Sequence, residues 1–269
     1  MRTGPFSGSF PIFRVFGIQV YLHWMWFFAA AIMVETLIRE LGVSGTEAVL
    51  VVFSLFGIVL THEFGHALAC RSVGGEARTI VLWPLGGVAF VKPPPRPGPV
   101  LWSIVAGPLV NVVLVPVTVA AVFILKGLTA DLESGPLVSA YTLSQMIMGM
   151  NFMLLAFNML PVYPLDGGQI LQALLWFVIG RAKSLHITAS IGLATAIIGG
   201  TLALWSREYW LVLMAVFIGW QAWNGFRAAR VLAAIERYEH DQAYPAPFEV
   251  DRRYVSRAAM PPDSGAGER

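Results

Sequence analysis

Charge is scarce in this chain: Asp, Glu, Lys and Arg make up 13% of its 269 residues, about half the share of a soluble protein. So few charges cannot cover a soluble surface, and 57% apolar residues exclude a disordered chain. Cysteine is nearly absent, and Cys70 on its own excludes a disulfide scaffold. No basic stripe accompanies the net charge of +2, so nucleic acid is not an expected partner. Long apolar runs are what the chain has in abundance. They leave one class, a polytopic membrane protein.

A bilayer core takes about 20 apolar residues per helix. Runs of that length lie near 17–38, 46–70, 100–125, 137–160, 186–205 and 209–229, which predicts an all-α protein with six transmembrane helices. A shorter run, 165–179, follows Pro161 and Pro164 and reads as a half-span. Arg2 and Arg14 could open a signal peptide with Ala29-Ala30-Ala31 as its cleavage site, but the run continues to Ile38 and predicts a retained first helix. With the N-terminus inside, segments 1–16, 71–98, 180–185 and 227–269 hold 15 of the 18 basic residues. That bias places both termini in the cytoplasm of a multi-pass cell-membrane protein. Residues 1–230 form the expected core. Residues 231–269 form a cytoplasmic tail that begins as an amphipathic helix to Gln242 and ends in a disordered segment.

An acidic residue near the centre of a membrane helix costs roughly 2.5–3.5 kcal/mol, so each one needs a reason. Glu35 lies near a helix end and can reach the headgroups. Glu63 and Asp166 cannot. Glu63 sits in His62-Glu63-Phe64-Gly65-His66, where two histidines four apart share a helix face and can present both imidazoles to one Zn²⁺. Glu63 then stands beside the metal as the base that takes a proton from water. The competing reading, two core histidines held by neighbouring helices, leaves three polar groups buried in an apolar helix without a ligand. A catalytic zinc needs a third protein ligand, and Asp166 is the candidate, in a Pro- and Gly-broken turn at the same membrane depth. Its alternative role is to cap the half-helix that follows.

These residues resemble the site-2 protease family of intramembrane zinc metalloproteases. The matching features are HEFGH at 62–66, Gly107-Pro108-Leu109-Val110-Asn111, and Asn158 through the Leu165-Asp166-Gly167 turn. Leu85-Gly86-Gly87 and the stretch from Gly17-Ile18 to His23-Trp24 also match, so the likeness covers roughly residues 15–230. It implies a six-helix core with an active site near the cytoplasmic face, cutting transmembrane protein substrates in regulated proteolysis. It assigns one Zn²⁺ to His62, His66 and Asp166, and the base to Glu63. The 71–98 loop is too short for the PDZ insertion of many members, and the tail is too short for a CBS pair. The expectation is a minimal core.

Thr79–Trp83 and Val88–Lys92 alternate around Pro84–Gly87 and predict a membrane-associated β-hairpin. Its edge could pair with a substrate drawn out as a strand, or merely brace a loop. Asn158 is the favoured oxyanion donor, Asn111 is expected to pack between helices, and His23 reads as a core or gate residue. His186 and His240 receive no role. Two other classes fit an apolar chain with buried ligands: a metal transporter, and a catalytically idle relative acting as a membrane chaperone. A transporter would spread its ligands along a path, and an idle relative would have lost Glu63 or a ligand. Reporter fusions test the topology: both termini should read cytoplasmic and the 126–136 loop external, and an external C-terminal reporter would break the six-span count.

Overall fold

The structure, a computed structural model, describes residues 7–84, 86–130 and 132–243, with side chains to Tyr238. The disordered segment expected beyond Ala243 lies outside the described residues, as does Leu85 of the hairpin turn. The chain is mostly helical, with one four-stranded sheet.

The first expected span is corrected at its start. Ile18–His23 is a strand, β2, paired with β1 (Ser9–Val15) through a two-residue turn at Phe16 and Gly17, both at positive φ. Ile18, Val20 and Leu22 are buried and alternate with half-buried residues, the period of a strand with one face on a core. In the sequence this alternation is hidden, because the apolar run continues without a break into helix α1 (Met25–Leu41). α1 has 17 residues, about 25 Å of helix, less than a bilayer core of about 30 Å.

After α2 (Gly45–Ser72), the expected hairpin forms as β3 (Glu76–Trp83) and β4 (Gly86–Lys92). It does not stand alone. β3 pairs in parallel with β2, giving the order β1-β2-β3-β4 with β4 at an edge. α1 and α2 are therefore the crossover that a parallel pair requires. Ile18, Val20, Leu22, Ile80 and Leu82 pack on Ala67 and Cys70, which fastens the sheet to the end of α2 that carries the HEFGH motif.

The remaining helices are α3 (Pro97–Leu128), α4 (Pro136–Asn158), α5 (Asp166–Ile179), α6 (Arg181–Trp205) and α7 (Tyr209–Ala243). By length and composition α2, α3, α4 and α6 can cross a membrane. Their outer faces expose Phe53, Val113, Phe123, Met153 and Ile197, the pattern of a multi-pass protein whose solvent is lipid. α6 and α7 approach closely because their contact is built from small residues: Ala189, Ala196 and Ala203 face Ala215, Ala222 and Ala229, all buried. Glu35 pairs with Arg39 one turn on, at 2.6 Å, on an exposed helix face.

Candidate metal centre

α2 carries His62, Glu63 and His66, and all three are buried. One helical turn separates the imidazoles, so both Nε2 atoms reach the same point, 3.1 Å apart. Asp166 opens α5 and closes on them from the other side, with Oδ2 3.0 Å from His62 Nε2 and Oδ1 3.5 Å from His66 Nε2. The ligand atoms of the three residues lie within 4.8 Å of one another. No side-chain cap bond marks the start of α5, so Asp166 is not spent on capping.

Hydrogen bonds behind the rings decide what this cluster can hold. His66 Nδ1 faces the Ser103 carbonyl at 2.9 Å, which can only accept, so the proton sits on Nδ1. For His62 the reasoning runs through two amides. Asn151 Nδ2 donates to the Asn111 backbone carbonyl at 3.1 Å, so Asn151 Oδ1 accepts from Asn111 Nδ2 at 2.8 Å. Asn111 Oδ1 is thereby turned to His62 Nδ1, 2.6 Å away, and takes its proton. Both Nε2 atoms then present lone pairs, and Asp166 Oδ2 is buried without a hydrogen-bond donor. An added proton on one ring would satisfy one neighbour. A divalent cation satisfies both nitrogens and the carboxylate together, and the donor set of two imidazoles and a carboxylate suits zinc.

Glycines make room for this geometry. A Cβ on Gly107 of α3 would overlap the His66 ring, and one on Gly87 would run into the Glu63 carboxyl group. Glu63 Oε2 accepts from the Ala89 N–H of β4 at 2.8 Å, so the edge strand holds this carboxylate. Asp166 is held by its own approach segment. The chain between α4 and α5 folds back so closely that a Cβ on Gly167 or Gly168 would strike the backbone of residues 159–163. Tyr163 anchors that segment, with its ring against Gly225 and its carbonyl over Gly192.

The expectation that Asn111 only packs between helices is too narrow: it bridges α3 to α4, and it also orients His62. Asn151, an amide in an apolar helix, carries the same sequence signal and completes that bridge from α4. Asn158 ends α4 half-buried and, among the described residues, without a side-chain hydrogen bond. His23 caps neither metal nor core: its ring accepts from the Met25 N–H at 3.3 Å and meets the Ser7 carbonyl at 3.1 Å. Replacing Asn111 with Leu should weaken metal affinity about 10–100-fold, with a smaller loss for Asn151→Leu. Competition against a chromophoric chelator measures both, and unchanged affinity in both variants would detach His62 from the metal.

Comparison with known proteins agrees with this architecture. The sequence profile described as Peptidase family M50 matches residues 50–142 and 132–199, more than half of the chain. A zinc metalloprotease of Methanocaldococcus jannaschii is 31% identical over 223 residues, 83% of this chain and 62% of that protein. A relative from Synechocystis sp. is 28% identical over 257 residues, 88% of this chain and 65% of its own length. The chain thus spans somewhat under two thirds of these relatives. Among solved structures, the site-2 protease from Methanocaldococcus jannaschii superposes with a TM-score of 0.56 at 28% identity, covering 81% of this chain and 95% of that one. On the profile match and these relatives, the chain belongs to peptidase family M50.

Proposed function

We propose that this protein is an intramembrane zinc endopeptidase that hydrolyses peptide bonds within or beside transmembrane segments of other membrane proteins, in regulated proteolysis. One observation carries the reading: two imidazole lone pairs on α2, a helix apolar enough to cross a bilayer, converge with the Asp166 carboxylate of α5, whose Oδ2 has no hydrogen-bond donor, beside the buried Glu63. His62, His66 and Asp166 would hold one Zn²⁺ per chain. When bound, zinc acts as a Lewis acid that acidifies water and polarises a carbonyl. Glu63, kept in place by the Ala89 N–H, accepts a proton from the attacking water and returns it to the leaving amine. Asn158, at the end of α4, is the proposed donor to the developing oxyanion.

The membrane arrangement belongs to the same proposal. α2, α3, α4, α6 and α7 cross, α1 crosses with its short length taken up by local thinning of the bilayer, α5 is a half-span, and both termini face the cytoplasm with the basic residues. A transporter would need ligands spaced along a path, whereas here they meet at one point. An idle chaperone would not need Glu63 braced by a strand.

Substitutions separate the roles. Glu63→Gln should abolish cleavage of a transmembrane peptide and retain about one zinc per chain, while His66→Ala and Asp166→Ala lose metal and activity together. Full zinc occupancy in Asp166→Ala would remove that residue from the ligand set. Because Ala89 points its N–H away from β3, Ala89→Pro should spare the ladder and remove only the Glu63 partner, slowing cleavage with zinc retained.

Substrate form gives a further test. A membrane helix hides its carbonyls in internal hydrogen bonds, and opening it costs unsatisfied groups unless something re-pairs them. β4 is a sheet edge beside Glu63, which suits strand addition. Peptides with Gly, Pro or Asn near the inner end of the span should be cut faster than poly-Leu versions. Equal rates would leave strand addition unsupported.

A further inference from the structure

α5 ends at Ile179, α6 starts at Arg181, and α7 passes their junction near Arg230. A groove of about 420 Å³ opens here, in the size range of small-ligand sites. Ile179, Ile187, Ala229 and Ala233 form its apolar wall, and Lys183 and Arg230 stand at its mouth. Both cations are exposed, and among the described residues neither has an ion pair. Their neighbours are already engaged. The Arg181 guanidinium lies over the Trp176 ring at 5.1 Å, and His186 packs edge-on against Phe226 at 4.9 Å. The Glu236 carboxylate accepts from the Ala182 N–H at 3.3 Å.

We propose that this groove binds one anionic phospholipid, with an acyl chain along the apolar wall and its phosphate between Lys183 and Arg230. Charge and depth select that occupant. An apolar wall ending in two unpaired cations fits a molecule with an apolar body and an anionic end. A zwitterionic lipid would bring its own cation toward Lys183 and Arg230. Free phosphate would leave the wall wet. The basic residues described on α6 and α7 (Arg181, Lys183, Arg227, Arg230 and Arg237) all lie at this end, and α6 carries no charge from Ser184 to Trp205. The groove therefore sits where an apolar span meets a basic rim, the position of a headgroup. This rests on the chain lying in a bilayer and not on its acting as a protease.

Native mass spectrometry of the full chain in detergent, titrated with phosphatidylglycerol or phosphatidylcholine of matched chains, tests it. One phosphatidylglycerol should be retained with a preference of about 30-fold, the factor that two basic side chains near an anionic headgroup supply. Lys183→Ala with Arg230→Ala should abolish the preference, and Arg252→Ala with Arg253→Ala should keep it. Ile187→Trp fills the apolar wall and leaves both cations, and it should weaken retention of phosphatidylglycerol. Equal retention of the two lipids, or equal loss in both double variants, would overturn the proposal. So would a preference that emerges only when residues 244–269 are removed, because the groove would then be occupied by the chain's own C-terminal segment.

Discussion

The position of two protons governs this structure. The Ser103 carbonyl and the Asn111 amide take the Nδ1 protons of His66 and His62, which leaves two Nε2 lone pairs facing a carboxylate with no donor between them. α3 supplies both acceptors, and Gly107 between them admits the imidazole. α4 takes part through Asn151, which fixes the Asn111 amide. A buried amide left without its partner costs about 1–3 kcal/mol, so the packing of three apolar helices is tied to one polar chain.

The two flanks of the molecule act on the site separately. On one side the sheet is anchored to α2 by an apolar cluster and delivers a single backbone N–H to Glu63. On the other, the α6–α7 pair provides the surface against which Tyr163 and the Asp166 turn are pressed. The side chains of His62, His66 and Glu63 thus come from one regular helix and are each held by a neighbour outside it, the condition for a site that keeps its geometry. The small residues that bring α6 and α7 together also leave a basic, partly apolar groove at their charged end, lined by none of the cluster's residues.

Composition and local pattern were enough for much of this. Scarce charge and runs of about 20 apolar residues establish a multi-pass helical protein, because a bilayer imposes length and hydropathy directly on sequence. The His62-Glu63-His66 spacing places three groups on one helix, since neighbours at three and four residues are local geometry. Asp166 was legible as an acid too costly to leave unexplained. The tertiary structure decided the rest. Ile18–His23 became a strand because β3 was there to pair with it, and an unbroken apolar run carries no mark of that partner. Asn111 and Asn151 became more than packing amides, and Ala89 became the partner of Glu63, through contacts 26 to 49 residues apart in sequence. Such contacts depend on how helices and strands come together in space, and no local period in the sequence records that.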